Sequence, residues 1–477
     1  RQGRGLDASA QGRALTRRLR RTEGFGIIVS MKYSLKLTFA AVLMAGTAFA
    51  LTEKDCITGR TDKDIPIYKP GEEMVFTVKL RGDFEGVDRS KLTFKWERTG
   101  DDGKKEGGVA PADRPFVYRT SLDRAGFVRL YADLMSDGTN KVMRDTSRGR
   151  KQPVYCDLGA GVDVFDIKPA VAEPKDFDAF WAKHKENLKT VPIKDVELVK
   201  VDENAAVTLY TVKCPCYGGK PMTAFLTVPV AAKEGKKFPL VLGFHGYGAS
   251  WSKGAWGKPD ISKQKGDHIH LSVSAHGFDL MKDEKYYNDL RKAAMSNGKG
   301  YAFDPVQNAD PETAYFCGMS YRVMRALEYA KTRPEWNGKN LKVVGGSMGG
   351  MQSVWAAALD HDVTECEPSI PWNCDVGGTE LGRNRGTWYI RWVPALGYYD
   401  TCNLAKRIPK TCKVNVSWAG LGDYICPPTG VFAMYNSLTC PKRGTFAQNT
   451  EHGNTLEPAP RQMFRVEEST PVVFKYP

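Results

Sequence analysis

The sequence predicts an α/β protein in which a mostly parallel β-sheet is covered by helices on both faces and is preceded by a small all-β domain. In residues 65–155 apolar residues recur at every second position, whereas from residue 176 onward short apolar strands alternate with helical stretches. With 477 residues, 42% of them hydrophobic, and a mean hydropathy of −0.42, the chain has room for two or three domains. This composition excludes a polytopic membrane protein, a collagen-like chain and a wholly disordered one.

The first 50 residues resemble processing segments rather than folded structure. Residues 31–50 read MKYSLKLTFAAVLMAGTAFA, which is typical of a secretory signal peptide cleaved near Ala50. Its apolar run is shorter than the roughly 20 residues that a membrane anchor needs. We therefore expect a periplasmic or secreted protein. Residues 1–30 are interpreted as upstream translation, with an Arg-rich transit peptide as the competing interpretation.

The formal net charge of +14 does not indicate nucleic-acid binding, because half of it lies in these 50 residues. The remainder contains no basic helix with interleaved aromatic residues. We expect the protein to bind no nucleic acid. After cleavage of the signal peptide we also expect no association with a membrane.

Export makes the eleven cysteines candidates for disulfides, and an odd number leaves at least one thiol unpaired. Cys56 and Cys156 bracket the first domain, and the local pairs Cys366 with Cys374 and Cys402 with Cys412 are plausible, although spacing leaves the connectivity open. No C-x-x-C pair occurs, and His268-x-His270 lacks a third ligand. We expect no metal and no cofactor.

A small β-sandwich of immunoglobulin-like type is predicted over residues 51–160. Apolar and polar residues alternate in 74–80, 92–96 and 128–134, with turn signals between them. These residues contain no pattern typical of a catalytic site. The predicted domain could therefore be a spacer, a module that contacts carbohydrate or a lid. Residues 161–175 are the predicted linker, within a stretch from Asp157 to Lys175 that contains two glycines and two prolines.

The second predicted domain, 176–477, opens with Asp176 as helix N-cap and an apolar helical stripe behind it, Phe177, Phe180, Trp181 and Leu188. Apolar runs at 240–244, 269–273 and 341–344 are the predicted buried strands. Residues 316–330 show helical spacing between the last two of them.

The last of these strands runs into Gly345-Gly346-Ser347-Met348-Gly349-Gly350, followed by a small and apolar helix-like stretch. A strand, a sharp turn holding G-x-S-x-G, and a helix are the context of a serine nucleophile. The flanking glycines allow the strained turn and the close approach of the helix to the strand. Ser347 is the candidate nucleophile.

A serine needs a base and an acid, which in this arrangement follow it in chain order. Among the seven histidines His452 alone lies far enough downstream, after the β-like residues 445–447. Asp423, which follows the strand-like 414–418, is the candidate acid that would orient the imidazole. Asp375 and Asp400 are weaker candidates because neither lies so plainly at a strand end.

The oxyanion of an acyl-transfer reaction needs two backbone donors. The amide of Met348, directly after the nucleophile, is one candidate. The second is the amide of Tyr247 in His245-Gly246-Tyr247-Gly248, the loop after an earlier strand. His245 is interpreted as a structural residue of that loop.

Three segments resemble the acetyl xylan esterase and cephalosporin C deacetylase family of α/β-hydrolases. They are the helix start Asp176-Phe177-Asp178-Ala179-Phe180-Trp181, the oxyanion loop His245-Gly246-Tyr247, and the acid-bearing run from Gly420 to Pro428. The resemblance covers roughly residues 170–465. The sequence departs from the family pattern at three places. Met348 stands where the family usually has Gln, residues 275–279 replace an Arg-Gly-Gln motif, and Gly453 stands where the family usually has Glu.

The resemblance implies an exported serine esterase that deacetylates acetylated xylan or related oligosaccharides through an acyl-enzyme. Trp372, Trp388 and Trp392 are candidate sugar-stacking residues, although aromatic side chains are more often part of a core. The alternatives are a serine peptidase of the prolyl-oligopeptidase type and a non-catalytic carbohydrate-binding homologue. The oligomeric state is left open.

Overall fold

The computed structural model describes residues 57–81, 88–145, 151–248, 252–452 and 463–473. The predicted signal peptide, the segment before it and Cys56 lie outside these residues, so export and a Cys56–Cys156 pair remain predictions. No helix in the described ranges has the length and apolar character to cross a membrane.

The N-terminal part is a β-rich region with its own apolar core. Its two main sheets have the strand orders β1-β3-β6 and β2-β10-β7-β4-β5, and β8 and β9 form a separate hairpin. The predicted alternation is present, because Met74, Phe76 and Val78 all point into the core. The strands are β1 (Ile57–Thr61), β2 (Ile67–Tyr68), β3 (Met74–Leu80), β4 (Thr93–Gly100), β5 (Lys105–Pro111), β6 (Phe116–Thr120), β7 (Gly126–Met135), β8 (Met143–Asp145), β9 (Lys151–Pro153) and β10 (Tyr155–Val162).

The C-terminal part is built on one sheet, which contains eleven strands within the described residues. Its six central strands, in the order β15-β14-β16-β17-β18-β19, pair in parallel, and antiparallel strands flank them on both sides. The carboxyl ends of these parallel strands therefore share one edge, where loops from several strands meet. The strands are β11 (Glu197–Glu203), β12 (Val207–Cys214), β13 (Met222–Pro229), β14 (Phe238–Phe244), β15 (Ile269–Ser274), β16 (Trp336–Gly346), β17 (Glu365–Ser369), β18 (Lys413–Gly420), β19 (Lys442–Ala447), β20 (Met463–Glu467) and β21 (Thr470–Val473).

Seven α-helices accompany this sheet in the described ranges. The most apolar is α5, all of whose residues are buried because it packs against β14, β16 and β17. The helices are α1 (Phe177–Lys189), α2 (Lys253–Trp256), α3 (Glu284–Ala293), α4 (Tyr315–Lys331), α5 (Met348–Leu359), α6 (Thr401–Ala405) and α7 (Pro428–Ser437).

Two local expectations need correction. Residues 161–162 belong to β10 and pair with β7, so the linker predicted for residues 161–175 can begin only after Val162. Asp176 precedes α1 but makes no side-chain cap bond; its carboxylate accepts a hydrogen bond from the Tyr398 hydroxyl instead. The predicted apolar stripe of α1 is buried, together with His184.

The expected local disulfides are absent among the described cysteines: Cys366, Cys374, Cys402 and Cys412 all carry free thiols. The physical reason is that each pair of sequence neighbours lies on different elements. Cys366 points from β17 to the carbonyl of Ser353 in α5 at 3.4 Å, whereas Cys374 donates to Pro371 in the following loop at 3.4 Å.

The β-rich region packs against the α/β sheet through direct backbone contact. A Cβ placed on Gly159 in β10 would lie 1.8 Å from the carbonyl oxygen of Leu421, and one on Gly422 would lie 2.0 Å from that of Asp157. Only glycine fits at such a close approach. Strand β10 is thereby held against the segment that contains Asp423.

Candidate active site

Ser347 lies between β16 and α5 in a strained turn. Its backbone has φ 57° and ψ −118°, a conformation that non-glycine residues rarely adopt. The flanking glycines are required sterically, since a Cβ on Gly349 would lie 2.1 Å from the Phe244 carbonyl oxygen and one on Gly345 would lie 2.5 Å from the backbone of Gly349. The turn has the form that raises a nucleophilic serine above the sheet edge.

The two predicted oxyanion donors flank this serine. Met348 is the first residue of α5, so its N–H has no intrahelical acceptor. The loop that carries Tyr247 passes beside Ser347, because a Cβ on Gly246 would lie 3.9 Å from the Ser347 Cβ. The Tyr247 ring is fixed by stacking on Tyr301 at 4.1 Å.

The predicted acid and base are joined. Nδ1 of His452 lies 2.9 Å from Oδ2 of Asp423, which is buried, while the imidazole is 21% exposed. The other carboxylate oxygen accepts hydrogen bonds from the amides of Ile425 and Cys426 at 2.8 and 2.9 Å. Three hydrogen bonds therefore fix the orientation of Asp423, and Asp423 fixes the tautomer of His452, leaving its Nε2 free to accept a proton.

Cys426 connects this pair to Ser347. Its Sγ lies within 4.8 Å of ligand atoms of Asp423 and His452. Burial raises the pKa of the Cys426 thiol well above its usual value, and a hydrogen bond with Ser347 opposes that rise. No direct hydrogen bond between the Ser347 hydroxyl and His452 occurs in the described part of the chain. The three predicted residues thus surround one thiol, with two of them in direct contact.

The weaker candidates have structural partners. Asp375 pairs with Arg383, and Asp400 accepts hydrogen bonds from three backbone amides, those of residues 375, 376 and 402. His245 accepts a hydrogen bond from the Ala275 amide at 3.0 Å, and burial lowers its pKa to about 4. Asp375, Asp400 and His245 therefore stabilise the loops in which they lie.

Two of the three predicted sugar-stacking tryptophans lie next to the nucleophile. Trp372 donates its backbone N–H to the Ser347 carbonyl at 3.0 Å, and both Trp372 and Trp388 pack edge-on against Tyr247. They line a small cavity of about 70 Å³ that also contacts Cys426. Trp372 is buried, whereas Trp388 is 36% exposed. Trp392 packs near Gly377 and Gly397 instead and does not line this cavity.

The β-rich region supports the acid segment through a buried ion pair that the sequence did not reveal. Arg129 in β7 binds both carboxylate oxygens of Asp157 in β10 at 2.6 Å, and its guanidinium lies 4.0 Å from the ring centroid of Tyr424. The Asp157 amide donates to Asn449 in the loop that leads to His452. The partners are up to 292 residues apart, so no local spacing pattern could have indicated them.

A larger cleft lies on the β-rich region and reaches Tyr424. It measures about 690 Å³ and is lined by β4, β5 and β7 together with Tyr424, the neighbour of Asp423. Trp96, Tyr131 and Tyr424 contribute aromatic surface. Its charged lining residues balance, with three cations and three anions: Lys95, Lys105, Arg129, Glu97, Glu106 and Asp133. We call this space the interdomain cleft.

The sequence model of the acetyl xylan esterase family matches residues 163–379 and 390–466, which is more than half of the chain. The chain belongs to the acetyl xylan esterase family. A curated relative, acetyl esterase Axe7A of Xylanibacter ruminicola, is 30% identical over 308 residues, covering 62% of this chain and 67% of the relative.

Solved structures of the family share the fold. An acetyl xylan esterase from Paenibacillus sp. R4 has a TM-score of 0.50 at 23% identity, with 62% of this chain and 94% of that chain covered. Acetyl xylan esterase 1 from Thermoanaerobacterium sp. has a TM-score of 0.50 at 22% identity, with 62% and 93% covered. The C-terminal part is therefore an α/β-hydrolase, and family membership indicates a carbohydrate esterase. The family match begins at residue 163, so it does not include the β-rich region.

Proposed function

We propose that this family member is an exported serine esterase that removes acetyl groups from acetylated xylan or related oligosaccharides through an acyl-enzyme. The observation that carries the proposal is the hydrogen-bonded pair of the buried Asp423 and the partly exposed His452, which lies at the same sheet edge as the strained Ser347 turn. That combination supplies a nucleophile, a base and an orienting acid.

In the proposed reaction His452 accepts the hydroxyl proton of Ser347 at Nε2 as the serine oxygen attacks the ester carbonyl. The amides of Met348 and Tyr247 donate to the resulting oxyanion. The imidazolium returns its proton to the departing sugar oxygen, and the acyl-enzyme forms. Water, deprotonated by His452, then releases acetate and restores Ser347. Contact between Ser347 and His452 would tighten on substrate binding, as catalytic hydrogen bonds often do.

The proposed preference for a small acyl group is supported by the small cavity that Trp372, Trp388 and Cys426 line. Its volume of about 70 Å³ and its walls of Trp372 and Trp388 suit an acetyl group and oppose longer chains. The neutral charge balance and aromatic surface of the interdomain cleft suit an uncharged polysaccharide, which would extend away from the acetylated residue.

Acid release from acetylated xylan, acetylated xylo-oligosaccharides and longer acyl esters tests the proposal, with Ser347→Ala as the catalytic variant; the first two substrates release acetate and the third releases its own longer acid. We expect the variant to lose activity by several orders of magnitude, because the triad acts as a unit. Ser353→Ala, which removes a serine hydroxyl buried in α5, is the control and should retain activity.

A fluorophosphonate probe separates the alternatives. Labelling of wild type and not of Ser347→Ala supports the serine mechanism, whereas an unlabelled native protein would favour a non-catalytic carbohydrate-binding role. Faster cleavage of prolyl-peptide amides than of acetyl esters would favour the peptidase. Export is tested by N-terminal sequencing of the processed protein, which we expect to begin near Leu51.

A further inference from the structure

A second cluster of metal-ligating side chains lies between α1 and the start of α4, and the reaction proposed above does not use it. It consists of His184, Glu312 and Cys317. Nε2 of His184 lies 3.5 Å from Oε2 of Glu312 and 3.6 Å from Sγ of Cys317, and that sulfur lies 3.8 Å from the same carboxylate oxygen. One nitrogen, one sulfur and one oxygen therefore form a nearly equilateral triangle.

These distances match a zinc coordination sphere. Tetrahedral bonds of about 2.0–2.1 Å to nitrogen and oxygen and about 2.3 Å to sulfur place the ligand atoms roughly 3.4–3.6 Å apart. The donor set is also one that Zn²⁺ accepts. The triangle is therefore already close to the size that a bound ion requires, without movement of the backbone.

The histidine is oriented as a metal ligand. Its Nδ1 lies 2.9 Å from the Phe180 carbonyl oxygen, which can only accept, so Nδ1 carries the proton. In the neutral ring this leaves the Nε2 lone pair directed at the carboxylate and the sulfur. Ligating histidines usually have their second nitrogen held in this way.

The residues around the cluster hold its side chains in place and leave it accessible to solvent on one side. The His184 ring stacks on Tyr321 at 4.9 Å and is fully buried. The Glu312 side chain is 39% exposed, and its other oxygen is bound by Lys183 at 2.9 Å. A solvent-derived fourth ligand can therefore approach from the Glu312 side.

We propose that His184, Glu312 and Cys317 bind a zinc ion, which links α1 to α4 and stabilises the fold. Binding forms three metal–ligand bonds, and the Cys317 thiol releases its proton to solvent as it becomes a thiolate. The spacing of the sequence gives no sign of this site because its ligands come from two separate segments. The absence of a C-x-x-C motif did not exclude it.

The test uses the full chain after treatment with a chelator, with Zn²⁺ as the probe for binding and thermal unfolding and Co²⁺ as the probe for absorption spectroscopy. We expect one Zn²⁺ to bind at this cluster, a higher unfolding midpoint, and a thiolate charge-transfer band with Co²⁺. Cys317→Ala should abolish the band. Glu312→Gln should weaken Zn²⁺ binding at least about tenfold.

Glu186→Gln is the matched control, because Glu186 is also an exposed glutamate paired with a lysine of α1. Its Zn²⁺ affinity should equal that of wild type. A band that persists in Cys317→Ala, or that is lost only in Cys426→Ala, would overturn the proposal, the latter by placing the ion at Asp423 and His452. If Cys317→Ala does not fold, the surface variant Glu312→Gln is sufficient as a test: a Zn²⁺ affinity equal to that of wild type would overturn the proposal.

Discussion

Replacing Arg129 by methionine should weaken both the fold and the catalytic site. Arg129 and Asp157 are 11% and 4% exposed, and the arginine makes two hydrogen bonds to the carboxylate. Removing one partner of such a buried pair costs about 3–5 kcal/mol, because the other charge remains buried without compensation. That is a large fraction of the 5–15 kcal/mol by which a typical protein is stable.

The loss should depend on pH. Burial already raises the pKa of Asp157 to about 7, and Arg129 opposes the rise. Without the arginine the folded-state pKa rises further, so Asp157 is protonated in the folded variant at low pH. The deficit in unfolding free energy, relative to wild type, should therefore grow as the pH increases from 5 to 8.

The assays are chemical denaturation across that pH range and kinetics on a small acetyl ester. We expect kcat to fall at least about tenfold at temperatures where the variant is folded, because Tyr424, and with it the Asp423 segment, loses its support. Arg119→Met is the control, since Arg119 is an exposed arginine of the same region paired with Glu73. Asp157→Asn should restore part of the stability in the Arg129→Met background.

An Arg129→Met variant with the same denaturation midpoint as Arg119→Met would refute the reasoning. An Arg129→Met/Asp157→Asn double variant that is no more stable than Arg129→Met would also refute it, since the predicted cost arises from the unpaired Asp157 carboxylate.

Three further predictions follow from particular contacts. Gly349→Ala should abolish activity and impair folding, because its new Cβ would lie 2.1 Å from the Phe244 carbonyl oxygen; circular dichroism and ester hydrolysis check this, and a folded active variant contradicts it. Tyr131→Ala should raise KM for acetylated xylan but leave a small acetyl ester unaffected, with Tyr210→Ala as control; equal effects on both substrates would exclude a polysaccharide in the interdomain cleft. The contribution of three histidines to the unfolding free energy should fall as the pH decreases from about 6.5 toward 4, by up to about 4 kcal/mol per unit, because the unfolded chain then binds protons that these side chains do not. Acids with a raised pKa, such as Asp157 and Asp375, oppose this fall, so it is measured as a difference from a histidine variant. Those histidines are His245 and His270, whose pKa burial lowers to about 4, and His276, whose pKa is lowered well below its usual value. Replacing His270 by Phe should change the slope of unfolding free energy against pH by up to about 1.4 kcal/mol per unit, and an unchanged slope would contradict this.

Local patterns were enough to predict several of the strands, the turn at Ser347 and the order of the candidate triad. Alternation marked β3 and β7, continuous apolar runs marked β14 and β16, and glycine spacing marked the turn at Ser347. These features follow from interactions between residues a few positions apart, such as side-chain direction in a strand or steric limits in a turn. A single downstream histidine then left little choice of base.

Contacts between distant segments were not predictable in this way. The local disulfides were wrong because sequence neighbours such as Cys366 and Cys374 lie on different elements. The linker prediction was wrong for residues 161–162, which belong to β10, because Gly161 packs closely against Phe127 and Val164.

The sequence alone therefore determined which residues are the candidates for the chemistry and the order in which they occur, because both depend on local geometry and on the kinds of side chain present. Only the tertiary structure decided that the β-rich region supports the acid segment through Arg129 and Asp157, and that Cys426 lies among the three candidate catalytic residues. The reason is physical: burial, charge pairing and backbone contact depend on which surfaces meet, and chain packing decides that across hundreds of residues.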